Sequence, residues 1–335
     1  MFLRNRWYVA AWDKEVSNRP LARTICGESV VLYRRSDGAV QALADYCPHR
    51  LLPLSMGTVE GDILRCGYHG LAVDGAGRCV DMPGQAEPPE RLRAQVYPVI
   101  ERYRFVWVWI GEAAAADPSL LPDLWFCEDA EWTFEGDRYG VKCDYRLLVD
   151  NLMDLSHETF VHPSSIGQKE ITEAPIETRL DGAEVVVERW MRDIDAPPFW
   201  RTFLRKPGLV DRWQICRFSL PSQVMIEVGV APAGTGAPQG DRSKGVEGVV
   251  VNCMTPETQD TCQYYWGMAR RFDIHDQGLS ERVKASQAQV FAEDTVVLEA
   301  QQAAIRARPD LKLVNLAIDA GGVQARALMA RALGG

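Results

Sequence analysis

Positive charge is what this 335-residue chain has too little of. Its 37 Lys and Arg face 46 Asp and Glu, giving a formal charge of −9 and a pI near 5.2. That balance excludes a nucleic-acid partner, whose phosphates need basic surface. An anionic small molecule stays open, because a local cationic pocket can sit on an acidic protein. No apolar run reaches the ~20 residues that span a bilayer, so no membrane partner is expected. The opening Met-Phe-Leu-Arg-Asn-Arg-Trp lacks the apolar core of a signal peptide. Nine Cys form an odd count without disulfide-scaffold spacing, which suits a reducing compartment, and a cytoplasmic protein is expected. Internal repeats are missing. So is a Gly-x-Gly-x-x-Gly after a strand, the fingerprint of a dinucleotide-binding turn. Histidine is scarce at five, yet four of the five fall into two tight groups.

The first group is Cys47-Pro-His49 followed by Cys66-Gly-Tyr-His69. Each short segment offers one thiol and one imidazole. Zinc fingers instead pair Cys with Cys and His with His. One of each per loop suits a Rieske-type [2Fe-2S] centre, in which two His replace two Cys on one iron and raise its potential. Pro48 stiffens the first loop, while Gly67 and Gly70 let backbone pass close to a cluster. A structural zinc site is the main rival reading.

At 335 residues, about two domains are expected. Residues 5–110 read as short strands and turns. Ser29–Arg34 and Val40–Ala44 form a hairpin around Ser36-Asp37-Gly38. Arg104–Ile110 is apolar on both faces. The stretch from Glu112 to Pro122 lacks strand pattern and reads as a linker, so the domains expected are 1–115 and 116–335. The second is mixed. Strands are expected near 138–143, 184–191, 211–218, 223–230, 248–253 and 261–269, with Gly234–Gly248 as an exposed loop. Helical period covers 145–161, 279–308 and 323–333. The fold class is therefore α+β: an all-β module, then an antiparallel sheet with a long helix packed on it in the helix-grip manner.

The second group is His157 and His162, in Asp150-Asn-Leu-Met-Asp-Leu-Ser-His-Glu-Thr-Phe-Val-His. A spacing of five puts their side chains about 140° apart on a regular helix. They can share an ion only if the helix ends or widens, and a distortion between Ser156 and His162 is expected, with Pro163 ending the helix. Asn151, Asp154 and His157 fall at steps of three and line one face. Two imidazoles still need a carboxylate for a ferrous site with open positions. Asp294 lies in the apolar stripe of Val290, Phe291, Val297 and Leu298, where a lone carboxylate is costly unless paired or metal-bound. Glu293 is the substitute. For an anionic substrate, Arg201, Arg217 and Gln214 are candidates by polarity alone, and surface ion pairing is the ordinary role of such residues.

Taken together, these motifs resemble the oxygenase components of Rieske non-heme iron oxygenases, in the branch of the vanillate O-demethylases, with dicamba monooxygenases further off. The likeness runs from Asn5-Arg-Trp-Tyr-Val-Ala through both cysteine loops and the 144–162 stretch. It continues through Ala196-Pro-Pro-Phe-Trp and Phe291-Ala-Glu-Asp to Ile318-Asp-Ala-Gly-Gly-Val-Gln. The resemblance implies that Cys47, His49, Cys66 and His69 hold the [2Fe-2S] cluster and that His157, His162 and Asp294 hold mononuclear Fe(II). It implies that Asp154 bridges a cluster His of one subunit to an iron His of its neighbour, with Asn151 beside the iron. It further implies a homotrimer, a separate flavin/[2Fe-2S] reductase fed by NADH or NADPH, and O2 as co-substrate. The implied reaction is O-demethylation of a methoxybenzoate to a phenol, protocatechuate from vanillate, and formaldehyde. A related acid such as dicamba or a toluenesulfonate is the alternative substrate. An iron–sulfur electron carrier without catalysis and a zinc-stapled binding protein are the readings from other classes.

Overall fold

A computed structural model describes residues 1–163 and 169–334. The chain divides into two compact units: 1–122 with 255–258, and 123–254 with 259–335.

The first unit is all β. Strands β1 (Arg6–Trp12), β2 (Leu21–Ile25), β3 (Glu28–Arg34), β4 (Val40–Ala44), β5 (Thr58–Glu60), β6 (Ile63–Arg65), β7 (Ala72–Val73), β8 (Cys79–Asp81), β9 (Val99–Arg102) and β10 (Phe105–Ile110) form three antiparallel sheets, ordered β1-β10-β9, β2-β3-β4 and β5-β6-β7-β8. Every residue of β10 is buried, as its unbroken apolar run predicts. A second core collects Val31, Leu43, Leu54, Leu64, Leu71 and Val73 around the thiols of Cys47 and Cys66.

The second unit holds β11 (Thr133–Val141), α1 (Tyr145–Leu152), α2 (Glu158–Val161), α3 (Lys169–Glu173), β12 (Ile176–Asp181), β13 (Glu184–Ile194), α4 (Pro198–Leu204), β14 (Val210–Ser219), β15 (Gln223–Pro232), β16 (Val246–Pro256), β17 (Cys262–Arg270), α5 (Gln277–Ala307) and α6 (Ala320–Gly334). Its seven strands make one sheet, ordered β11-β17-β16-β15-β14-β13-β12. Helix α5, 31 residues long, lays Val283, Val290, Phe291 and Leu298 inward. The Phe291 ring sits 5.0 Å from that of Trp266 and 5.2 Å from that of Tyr264 on β17. This is the expected α+β arrangement of a sheet gripped by a long helix.

Two expectations need correcting. Residues 145–161 are two helices, because the chain leaves the helix after Leu152. The expected loop at 234–248 already contains the start of β16 at Val246. The short elements α3, β12 and α4 carry too little periodicity to be seen in sequence. Among the described residues no helix is long and apolar enough to cross a membrane.

Candidate iron centres

The two cysteine loops share one design. In the first, Leu51 N–H donates to the Cys47 carbonyl (2.9 Å) and Cys47 N–H to that of Leu52 (2.8 Å). In the second, Gly70 N–H donates to the Cys66 carbonyl (3.1 Å) and Cys66 N–H to that of Leu71 (2.8 Å). Both turns require a left-handed residue: Gly70 (φ +75) supplies it at no steric cost, and Leu51 (φ +61) adopts it under strain. A side chain at Gly67 would strike the Met56 carbonyl at 2.8 Å. The His49 and His69 ring centroids are 4.8 Å apart. Cys47 and Cys66 are buried side by side; burial, with the neighbouring Cys66, pushes the Cys47 thiol up against the pull of nearby backbone N–H groups. His49 Nδ1 is buried without a hydrogen-bond partner. Such an orphaned nitrogen is costly unless it is a ligand. Two thiols, two imidazoles and that orphan fit a Rieske cluster.

The second constellation is built where α1 fails. Asp144 caps α1 by accepting from Arg146 N–H (2.9 Å). The helix closes with Asp154 N–H on the Asn151 carbonyl (3.1 Å). Asp154 Oδ1 then accepts from Ser156 N–H (2.6 Å), the local side-chain bond by which Asp competes with a helix. The chain turns, His157 opens α2, and His162 ends it before Pro163. So the distortion lies earlier than expected, at 153–157, and the helix does end at His162.

This geometry brings His157, His162 and Asp294 together, with ligand atoms within 4.8 Å of one another. His162 Nε2 lies 3.2 Å and His157 Nε2 3.5 Å from Asp294 Oδ1. Asn151 Nδ2 donates to the same oxygen at 3.0 Å. The outer nitrogens face carboxylates: His162 Nδ1 is 2.7 Å from Glu293, and His157 Nδ1 is 3.6 Å from Asp154. Glu293, read as a substitute ligand, is thus a support for His162 that fixes its ring, leaving Nε2 for a metal. Burial opposes charge on His157, but Asp154 and Asp294 carry it up to about 10. Burial likewise opposes charge on Asp294, and the two imidazoles hold it at about 2. Two imidazoles and one buried carboxylate fit a ferrous ion with open positions.

The centre opens on a cavity of about 520 Å³. Its walls are largely apolar, with Pro197, Phe199, Trp200, Ile226, Val228, Val250, Met268 and Phe291. Of the proposed anion contacts, Arg201 reaches the rim and Gln214 the wall. Arg217 does not line it; it is bound to Glu227 (2.7 Å) near Asp181 and Glu184. Sequence reading missed Arg212, two residues before Gln214 and therefore on the same side of the strand.

A loop pair of the Cys-x-His and Cys-x-x-His kind, with a separate site of two His and one carboxylate, defines an iron–sulfur-fed non-heme iron oxygenase. Comparison with known proteins agrees. Residues 6–101 match the Rieske [2Fe-2S] domain and 141–334 the vanillate O-demethylase oxygenase C-terminal domain. The chain is 48% identical to the vanillate O-demethylase oxygenase subunit of Pseudomonas sp. (strain HR199 / DSM 7063), over 99% of this chain and 95% of that one. It is 38% identical to the toluene-4-sulfonate monooxygenase system iron-sulfur subunit of Comamonas testosteroni, over 99% and 97%. Dicamba monooxygenase with non-heme iron and dicamba superposes with a TM-score of 0.86 at 34% identity, over 99% and 97%. The chain belongs to the Rieske oxygenases of the vanillate O-demethylase oxygenase family.

Proposed function

We propose that this chain is the terminal oxygenase that demethylates an aryl methyl ether, a methoxybenzoate such as vanillate. The observation that carries it is the placement of the His157–His162–Asp294 centre in the wall of a largely apolar cavity of about 520 Å³, within the range of small-molecule sites. The cluster is assigned to Cys47, His49, Cys66 and His69 in a 1–115 domain, and mononuclear iron to His157, His162 and Asp294 in a 116–335 domain. When bound, the mononuclear iron supplies oxygen activation. The balance is ether, O2, two electrons and two protons giving phenol, formaldehyde and water.

The chain's own residues position and shield. Phe199, Trp200, Ile226 and Val228 pack the ring and exclude water, so that the methyl group is presented to the centre. Asn151 holds the Asp294 oxygen in place. Glu293 sets the ring of His162 at 2.7 Å, and Asp154 faces His157 Nδ1 at 3.6 Å. Asp154, beside that nitrogen, is assigned the electron link from a neighbouring subunit's cluster. A homotrimer and a flavin/[2Fe-2S] reductase using NAD(P)H complete the proposal.

The test is a panel of methoxybenzoates, dicamba and toluenesulfonate given to the holoenzyme with a surrogate reductase. Formaldehyde released in step with a phenol from a methoxybenzoate is expected. Oxygen uptake with formaldehyde from none of the panel would end the reading.

A further inference from the structure

We infer that Glu158 is the positioning residue that sets the two iron imidazoles, and that Gln214 and Arg189 are its seat on the sheet. The inference rests on the assignment of mononuclear iron to His157, His162 and Asp294. Helix α2 is only four residues long, with His157 at its N-terminal end and His162 at its C-terminal end. So short a helix has no stability of its own and takes its place from what it is fixed to. Of its four residues only Glu158 is buried, at 5% exposure, while Phe160 stands 83% exposed. The carboxylate goes in and the aromatic ring goes out, the reverse of the usual order.

A buried carboxylate has to be held by hydrogen bonds. Gln214 Nε2, on β14, donates to both Glu158 oxygens at 2.8 and 2.9 Å. Arg189, on β13, is the cross-strand partner of Gln214, and both side chains are buried. Arg189 donates to Gln214 Oε1 at 3.2 Å. The guanidinium thus polarises the amide that holds the carboxylate, and each bond strengthens the next. A second Arg189 nitrogen donates to the Leu155 carbonyl. The two attachments, at Leu155 and Glu158, bracket His157 along the chain. Gln214, expected as an anion contact, therefore has its amide occupied at both atoms. Removing the Gln214 donor takes two bonds from a buried charge, and α2 then moves to recover them from water. That movement carries both imidazoles of α2 relative to Asp294, which is fixed on α5.

The test titrates ferrous ion anaerobically into full-length protein that carries its cluster but has lost mononuclear iron to a chelator. Nitric oxide serves as the paramagnetic probe of the bound ion. Gln214→Met should weaken ferrous binding about tenfold or more, the loss expected when support behind a metal ligand goes. Its iron–nitrosyl resonance should change shape, while the colour and potential of the cluster should not change. Glu158→Gln keeps an acceptor for Gln214 and should stay within about threefold of wild type, whereas Glu158→Met should match Gln214→Met. The double variant Gln214→Met with Glu158→Met should lose no more than either alone, because the two residues act through one contact. A purely architectural role would lower the unfolding temperature and leave affinity and resonance unmoved; that result overturns the inference, and so do additive losses. Should Gln214→Met fail to fold with its cluster colour, Gln214→Asn carries the test, its amide one methylene short of Glu158. About threefold weaker binding with an altered resonance is then expected, and wild-type values overturn the inference. Wild-type protein that takes up no ferrous ion and gives no nitrosyl signal ends the iron assignment, and the positioning role with it. The demethylase reading can fail on its substrate panel without moving any of these results.

Discussion

Asp154 does two things with its two oxygens. Oδ1 holds Ser156 N–H and so shapes the turn; Oδ2 faces His157 Nδ1 at 3.6 Å. Burial raises its carboxyl, and His157 and Ser156 bring it below the usual carboxylate range. An amide keeps the first contact and removes the charge from the second. Asp154→Asn should therefore retain three irons per chain yet slow turnover by about tenfold or more, a change of the size expected when a metal ligand loses its outer partner. Iron analysis beside formaldehyde release checks it, and full activity would remove Asp154 from the electron route. At this scale the sequence was most legible where chemistry forces residue type. Cys47, His49, Cys66 and His69 announce themselves by spacing, and Asp294 by its place among Val290, Phe291 and Leu298. The contact of Glu293 with His162 Nδ1 was not legible, because helix position says which carboxylate is nearer the stripe, not which imidazole nitrogen it meets. Arg212 was passed over because nothing in a strand's sequence marks an arginine that lines a cavity from one that pairs at the surface.

At the scale of elements, the long helix α5 was legible to within two residues at each end, since its apolar period is long and Asp276 caps it by accepting from Leu279 N–H. The 145–161 stretch was legible as helical but not as broken. The break depends on Asp154 and on tertiary support that no window of sequence displays. That support is α6. Arg326 on α6 forks onto Asp150, and a side chain on Gly321 would meet the Met153 carbonyl at 2.4 Å and Val187 at 2.5 Å. Helix α6 thus lies against the last turn of α1, where the chain leaves toward His157. Gly321→Ala forces backbone apart at that spot, where the atom struck is a carbonyl and not a yielding side-chain tip. It should cost about 1–3 kcal/mol, the usual range for overpacking. It should also lower mononuclear iron occupancy while leaving the red-brown cluster intact. Thermal unfolding with iron-to-sulfide ratios checks this; a fully loaded, unshifted protein would show that α6 does not set the turn.

At the scale of the molecule, the two compact units carry different chemistry: one collects thiols and imidazoles in a β core, the other imidazoles and a carboxylate under a long helix. The pattern of strands and helices along the chain foresaw an α+β fold, but no such pattern states how electrons pass from one kind of centre to the other. If the route runs between subunits, two crippled chains can repair each other. His69→Ala should lose the cluster and keep the mononuclear site; Asp294→Ala should do the reverse, since each removes a ligand from one unit only. Neither homogeneous protein should turn over a methoxybenzoate. On that route, co-expression should yield mixed oligomers that pair an intact cluster of one chain with an intact iron centre of another, and activity should return to a measurable fraction of wild type. The recovered activity should travel with assemblies of three times the 37.5 kDa chain on sizing with light scattering. Mixed oligomers that form and remain inactive would place the route inside a single chain, and with it remove the role assigned to Asp154 beside His157.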